Sequence, residues 1–133
     1  MSTGHRRPDR FRDVIHHASV EVSDLERSGR FYDALFGPLG WRRQVETDEL
    51  IAWGIVKPVF FASARRPAGT GGGHVCFVGN GIPAVKAAWE GGVAAGGSDD
   101  GAPGSRPQYG PGYYSAYLRD PDGYRVEVAV STD

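Results

Sequence analysis

Two histidines and one glutamate stand out as candidate ligands of a metal ion. His17 and His74 each lie in a short segment in which apolar and polar residues alternate, and Glu127 lies in a third such segment near the end of the 133-residue chain. Alternate side chains of a β-strand point to opposite faces, so all three are predicted on the face opposite the apolar residues. Two imidazoles and one carboxylate suit a divalent metal with open positions for a substrate. The alternative is that they are ordinary polar residues on exposed strand faces.

The composition restricts the class of protein. With 40% hydrophobic and 23% charged residues, the chain is typical of a single globular domain. A net charge of -1 argues against a generic nucleic-acid binder, and one cysteine excludes an internal disulfide and any multi-cysteine zinc site. No apolar run approaches the roughly 18 residues of a membrane span, and the first residues lack the apolar core of a secretory signal. We therefore expect a cytoplasmic protein that binds neither nucleic acid nor membrane.

The first half of the chain predicts a strand, a helix and three further strands. Residues 14–22 alternate as a strand, and Ser23 and Asp24 are typical of a helix N-cap before a helix over 25–36. The apolar face of this helix would comprise Leu25, Ser28, Phe31, Tyr32, Leu35 and Phe36. The three shorter strands are expected at 41–45, 50–56 and 59–64.

The second half repeats this order after a glycine-rich linker, 65–73. A strand is predicted at 74–78 and a helix at 82–93, followed by a long Gly/Pro loop over 98–112. The Asp-Pro-Asp-Gly sequence at 120–123 is a strong turn signal. It predicts a hairpin between strands 113–118 and 124–130.

The two halves align without gaps at an offset of 57 residues, which indicates an internal duplication. His17 aligns with His74, and Leu25 with Ile82. We therefore expect one α+β domain, 14–131, made of module 14–64, the linker and module 74–131, after a flexible arm, 1–13. Two such modules can pack into one curved sheet with the helices outside and the polar strand faces lining a cleft.

Two segments carry a resemblance to a known family. Residues 17–28 with Phe31 and Tyr32, and above all residues 120–127, resemble the vicinal oxygen chelate superfamily. Its members include glyoxalase I, fosfomycin-resistance thiol transferases, extradiol dioxygenases and bleomycin-resistance proteins. The resemblance implies two βαβββ modules that form an open, incomplete barrel around a metal ion, in a homodimer.

Further segments narrow the resemblance. The stretches 101–107 and 113–117 resemble an uncharacterised bacterial glyoxalase-like branch. By resemblance, the metal ligands are His17, His74 and Glu127, and the ion is Fe, Mn, Ni or Zn. Glyoxalase I-like members carry another carboxylate late in the first module, whereas here Phe60 is predicted at that place. This difference favours a three-ligand site, as in the thiol-transferase and extradiol branches, or a degenerate binding protein.

Other residues are candidates for catalysis and substrate binding. Glu127 is a candidate catalytic residue because it would bind the metal ion. Glu21 shares the strand face of His17 and is the candidate base. The alternative for Glu21 is an ordinary exposed glutamate. Three candidates for substrate contact lie in the long loop, namely Arg106, Tyr109 and Tyr113. Arg106 could pair with a substrate carboxylate or phosphonate, or be a surface arginine. Trp53 and Phe60 could form an apolar wall, although core packing explains Trp53 equally well.

Two functions follow from this sequence. The first is a metal-dependent enzyme, of the lyase, isomerase, thiol-transferase or dioxygenase type, that stabilises an anionic oxygen of a small-molecule substrate. The second is a metal-free protein that sequesters a small molecule, as bleomycin-resistance proteins do. Both are expected to be homodimers. The modules could pair within one chain, or His17 of one subunit could join His74 and Glu127 of the other.

Overall fold

The computed structural model describes residues 15–69 and 72–131. The predicted arm, 1–13, lies outside the described residues, as does Val14. The first module comprises β1 (Ala18–Glu21), α1 (Leu25–Phe36), β2 (Arg42–Glu46), β3 (Leu50–Gly54) and β4 (Phe60–Ser63). The second comprises β5 (His74–Val78), α2 (Ile82–Ala94), β6 (Ser98–Ser105), β7 (Tyr114–Arg119) and β8 (Arg125–Val130). Short 3-10 turns cover Gly37–Leu39 and Pro107–Tyr109.

The two modules have the same topology, which confirms the predicted α+β fold of two βαβββ units. The strand order is β1-β4-β3-β2 in the first module and β5-β8-β7-β6 in the second. In each module the first strand pairs in parallel with the last, and the other pairs are antiparallel. Moving the bounds of α1 by 57 residues gives 82–93, almost the range of α2.

The strands form two four-stranded sheets rather than the one curved sheet expected from the sequence. Among the described residues, no backbone ladder joins β1 to β5. Instead, side chains bridge the two edges: the hydroxyl of Tyr124 donates a hydrogen bond to the backbone carbonyl of Glu21, at 2.9 Å. A cavity of about 320 Å³, lined by Ser19 of β1 and His74 of β5, lies between the edges. The barrel therefore stays open.

Local sequence signals explain α1. Asp24 caps the helix as predicted, since its carboxylate accepts a hydrogen bond from the backbone N–H of Arg27 at 3.1 Å. The helix ends at Gly37-Pro38, and Gly40 takes a left-handed φ of 86° that L-residues rarely adopt. No helix within residues 15–69 and 72–131 is long and apolar enough to cross a membrane.

Both modules share one hydrophobic core between the helices and the sheets. The rings of Tyr32 and Phe36 in α1 meet those of Phe60 in β4 and Phe77 in β5, with centroid separations of 5.0 Å for Tyr32–Phe60 and 4.9 Å for Phe36–Phe77. All four side chains are at most 5% exposed. Because this core occupies one face of each sheet, the opposite faces remain available for a functional site.

The structure corrects the predicted loop 98–112, because its first part is strand β6. This strand lies at the sheet edge and pairs with β7 through two register irregularities, one on each side of Gly101. Pro103 is tolerated there because an edge strand leaves one side of its backbone without ladder partners. The sequence analysis predicted a loop because this strand is rich in glycine and contains proline, and because its pairing is irregular.

A buried carboxylate joins the second module to α1 of the first. Asp120, in the turn between β7 and β8, is 3% exposed. Its Oδ2 accepts a hydrogen bond from the hydroxyl of Tyr32 at 2.6 Å, and its Oδ1 accepts from the backbone N–H groups of Asp122 and Tyr124, both at 2.9 Å. Asp122 in turn accepts from the backbone N–H of Ser23, just before α1. We call this set of contacts the Asp120 clasp.

Removing the clasp carboxylate should destabilise the whole domain. We expect Asp120→Ala to lower the free energy of unfolding by about 3 kcal/mol, because it leaves buried donors without acceptors. Urea denaturation followed by tryptophan fluorescence measures the change. Asp48→Ala, in the exposed turn before β3, is the matched control and should change stability little. Equal stability of the two variants would contradict a structural role for the clasp.

Candidate functional site

The structure brings two of the three predicted ligands together on the exposed face of the second sheet. Nε2 of His74 lies 3.3 Å from Oε1 of Glu127. The contact forms because β5 and β8 are parallel neighbours and Glu127 lies opposite Cys76, two residues after His74. The Glu127 side chain is 5% exposed and that of His74 is 42% exposed, so the pair presents one buried acceptor beside one accessible imidazole.

Tyr113 holds the carboxylate of this pair. Its hydroxyl donates a hydrogen bond to Oε2 of Glu127 at 2.9 Å, while Oε1 faces His74. Burial and this hydrogen bond raise the pKa of Tyr113, so the hydroxyl stays protonated and remains a donor. The ring of Tyr109 packs against Tyr113 at a centroid distance of 5.6 Å. Of the predicted loop contacts, Tyr113 therefore reaches the site directly and Tyr109 supports it.

Cys76 and Tyr117 complete the surroundings of Glu127. Partial burial, and then the negative charge of Glu127, raise the pKa of the Cys76 thiol to about 12. The same two causes raise the pKa of Tyr117, which lies opposite Glu127 on β7. Both groups are therefore protonated and neutral near neutral pH.

His17 lies in a separate place, on the exposed face of the first sheet. Its ring contacts that of Phe61 at a centroid distance of 5.3 Å, and its Nδ1 lies 2.9 Å from Nδ1 of His16. It lines a cavity of about 290 Å³ together with Glu21 and Arg66. Oε1 of Glu21 accepts a hydrogen bond from the backbone N–H of Arg66 at 3.1 Å. The predicted ligand and the predicted base thus share the cavity of the first module.

The direction of the strands separates His17 from His74. Tyr124, which precedes the residue paired with His74, bonds to Glu21 at the end of β1, so the end of β1 lies near the start of β5. His17 is four residues before Glu21, a distance of roughly 13 Å along a strand. Among the described residues, no three His, Cys, Asp or Glu side chains are placed to hold a metal ion. Within one chain, the predicted ligands therefore lie in two places, with His17 in one and His74 with Glu127 in the other.

The structure places Trp53 and Phe60 in the core. Trp53 is 0% exposed, with its indole N–H donating to Asp33, and Phe60 is 2% exposed. The pleat explains the difference from the prediction, because Phe60 pairs with Ala18 whereas Phe61 pairs with Ser19 on the polar face. Phe61 is therefore the aromatic residue beside His17, and it occupies the outward position that was assigned to Phe60.

The sequence reading missed a cluster around Tyr117. Arg125 lies over the Tyr117 ring, with its Cζ 4.2 Å from the centroid, and the predicted substrate contact Arg106 lies 5.7 Å from the same centroid. Tyr117 is also 6.2 Å from the His74 ring, centroid to centroid. Alternation along β7 and β8 could have placed Tyr117 and Arg125 on the face of Glu127, but not beside Arg106.

A family model and a solved structure more than 30% identical both match most of this chain. A family model described as "Glyoxalase/Bleomycin resistance protein/Dioxygenase superfamily" matches residues 14–128. The crystal structure of a glyoxalase/bleomycin resistance protein from Albidiferax ferrireducens T118 is 32% identical, with a TM-score of 0.77, and the match covers 87% of this chain and 97% of that one.

More distant structures share the fold. A lactoylglutathione lyase from Agrobacterium tumefaciens is 22% identical, with a TM-score of 0.64 over 89% of this chain and 93% of that one. A fosfomycin resistance protein from Mesorhizobium loti is 20% identical, with a TM-score of 0.66 over 90% and 93%. The comparison with curated proteins gave no match.

The raised pKa of Cys76 predicts a slow thiol. At pH 8, iodoacetamide should alkylate chelator-treated protein roughly fifty times more slowly than a free thiol, because the smaller thiolate fraction outweighs the higher nucleophilicity of each thiolate. Mass spectrometry of the modified protein gives the rate. Glu127→Gln should accelerate alkylation, whereas Glu90→Gln, an exposed acid on α2, should not. A rate equal to that of a free thiol would show that the environment of Glu127 does not act on Cys76.

Proposed function

Since this chain belongs to the glyoxalase/bleomycin resistance protein/dioxygenase superfamily, we propose that it is an enzyme that uses a divalent metal ion to act on an oxygen-bearing small molecule. The reaction would be of the lyase, isomerase, thiol-transferase or dioxygenase type. The observation that carries the proposal is the contact between His74 and Glu127, because an imidazole nitrogen and a carboxylate oxygen 3.3 Å apart can bind one ion together.

The third ligand would come from a second copy of the chain. Each chain has His17 in one place and the contact between His74 and Glu127 in another, and among the described residues no three possible ligands lie together. A two-fold dimer pairs one surface with another reciprocally, so it would complete two sites at once. Val78, on the strand face of His74, is 74% exposed, which favours a partner surface there.

The donor types present fit such an ion. Neutral imidazole and carboxylate suit Fe, Mn, Ni or Zn, and the single carboxylate leaves a dication with net positive charge. When bound, the ion would supply Lewis acidity that stabilises negative charge on a substrate oxygen. Tyr113 would keep Glu127 oriented, since hydrogen bonds to a ligating carboxylate fix its position.

Glu21 is the residue to which we assign proton abstraction. It lies in the first-module cavity with His17, so in the proposed dimer it would face the ion that His17 binds. A carboxylate within reach of the substrate can act as a general base. A cytoplasmic location, in which reduced thiols and metal ions are available, remains part of this proposal.

Mixing of two defective variants tests the shared site. His17→Ala and His74→Ala should each lose binding of Ni²⁺, measured by calorimetry on folded protein. After subunit exchange, each mixed dimer would hold one intact site, so about a quarter of the wild-type sites should return. Glu127→Gln should also lose Ni²⁺ binding. Its control, Glu90→Gln, should bind Ni²⁺ like the wild-type protein.

Three outcomes would contradict the shared site. His17→Ala could retain full Ni²⁺ stoichiometry, the mixture could recover no sites although sedimentation shows mixed dimers, or the wild-type protein could be a monomer. If wild-type protein bound no divalent ion at all, the metal-dependent activity itself would be excluded.

A matched pair of tyrosine variants tests the orientation of Glu127. Tyr113→Phe should weaken Ni²⁺ affinity roughly tenfold, because it removes a hydrogen bond to a ligand without touching the ion. Tyr109→Phe is the control, since Tyr109 is 61% exposed and contacts Tyr113 through its ring. Equal affinities of the two variants would remove Tyr113 from the site.

A further inference from the structure

A separate cavity of the second module lies beside the His74–Glu127 pair. Its volume is about 230 Å³, and its lining combines two arginines with one carboxylate: Asp100, Gly101, Arg106, Gln108, Tyr109, Tyr117 and Arg125. Two guanidinium groups in one small cavity are unusual unless something negative compensates them. The charges around this cavity therefore show what it can bind.

The ring of Tyr117 forms part of the wall of the cavity. The guanidinium of Arg125 lies over its ring, with Cζ 4.2 Å from the ring centroid, and that of Arg106 lies 5.7 Å from the same centroid, so both cations contact one aromatic ring. Gly101 makes room for this arrangement. It takes a φ of +147°, and a Cβ there would lie 3.2 Å from Cδ1 of Tyr117.

The charge of Arg125 is partly neutralised by an ion pair with Asp100. Arg125 and Arg119 lie directly opposite each other on β8 and β7, which would be repulsive. Asp100 lies between them, with its Oδ2 2.7 Å from Nε of Arg125 and 3.3 Å from Nε of Arg119. The hydrogen bond from Arg125 lowers the pKa of Asp100, so this carboxylate stays ionised. One carboxylate thus serves two guanidiniums.

Arg106 is held without being neutralised. Its Nη2 donates to the backbone carbonyls of Ala102 at 2.8 Å and Ser115 at 3.3 Å, and its Nε donates to the Ser115 hydroxyl at 3.4 Å. Within residues 15–69 and 72–131, no carboxylate forms an ion pair with it. Neutral acceptors fix the direction of the guanidinium but leave its full positive charge facing the cavity. Three guanidiniums around one carboxylate leave an excess of positive charge.

The cavity is close to the proposed metal site. The centroid of the Tyr117 ring lies 6.2 Å from that of the His74 ring and 4.2 Å from Cζ of Arg125. The sum of these separations is an upper limit on the distance between imidazole and guanidinium. A small molecule can span it.

We propose that this cavity binds the oxyanion group, carboxylate or phosphonate, of a small molecule whose other end reaches the His74–Glu127 pair. Arg106 is the main anchor, because a planar guanidinium binds two oxygens of such a group. Arg125 and Tyr117 form the opposite wall. The inference rests on the proposed function only for the position of the rest of the molecule, since one chain contains the whole anion cavity.

Anion binding to chelator-treated protein tests the proposal without the metal. Methylphosphonate and acetate are titrated separately while the Nε–H signals of the arginines are followed by NMR, with acetamide as the neutral comparison. We expect saturable shifts of Arg106 and Arg125 with at least one of the two anions and none with acetamide. Comparing the two anions distinguishes a phosphonate from a carboxylate cavity. The charge-assisted contacts predict a loss of affinity of roughly tenfold to a hundredfold in Arg106→Gln.

Matched variants separate this cavity from general charge effects. Arg30→Gln removes an exposed arginine whose partner, Glu26, is 3.9 Å away, and it should bind the anions like wild type. Arg106→Lys keeps the charge but loses the bidentate group, so it should bind with intermediate affinity, and it replaces the glutamine variant if that fails to fold. Wild-type affinity in both Arg106 variants, or shifts spread over unrelated arginines, would overturn the proposal.

The same variants distinguish this proposal from the proposed function. His17→Ala and His74→Ala should lose Ni²⁺ but keep anion binding. If the wild-type protein binds the anions but no Ni²⁺, the result contradicts only the proposed metal-dependent enzyme. Intact Ni²⁺ binding with no anion affinity would count against the cavity alone.

Discussion

The buried carboxylate of Asp120 is the constraint on which the relation of the two modules depends. Burial raises the pKa of Asp120, which is 3% exposed, and hydrogen bonds from nearby donors oppose that shift by replacing its lost water. Two of those donors are in its own turn, and the third is the Tyr32 hydroxyl in the other module. The turn therefore cannot move away from α1 without breaking the buried hydrogen bond between Tyr32 and Asp120. The first role of this turn is thus to pack one module on the other.

Duplication explains why the chain holds two incomplete parts of a site. His17 and His74 occupy equivalent positions in the two modules, and both face away from the shared core. The hydrogen bond from Tyr124 to Glu21 brings the end of β1 close to the start of β5, so His17, four residues before Glu21, lies away from His74. In the proposed dimer, a symmetric second copy would provide the missing ligands of each site without any new sequence. The proposed shared site follows from this geometry as much as from the ligand types.

Local patterns predicted much of the fold. The helices and β5 were predicted within one or two residues because their signals, an N-cap, an apolar stripe and a regular alternation, lie within each segment. Strand β6 was missed because it is an irregular edge strand rich in glycine. The segment 59–62 is apolar throughout, so its sequence does not show which of Phe60 and Phe61 faces outward, and the pairing of β4 with β1 decides it.

Residues of the candidate site were predictable only where the pattern within a single strand shows which way they face. His17, His74 and Glu127 were chosen from alternation within their own strands, and the structure places the last two 3.3 Å apart. The anion cavity, by contrast, joins Arg106 after β6, Tyr117 of β7 and Arg125 of β8. Asp100 of β6 neutralises part of its charge. Contacts among three strands depend on register, and register is a property of the folded sheet.

Register also links the clasp to the site. The turn after Asp120 closes with backbone hydrogen bonds from the N–H of Asp120 to the carbonyl of Tyr124 and from the N–H of Gly123 to the carbonyl of Asp120, both at 2.9 Å. This closure sets Glu127 opposite Tyr117. A slip of one residue would turn Glu127 into the core and Val126 and Val128 out to solvent. The aspartate that binds the two modules together therefore also determines that the carboxylate seven residues later faces His74, so stability and chemistry depend on the same turn.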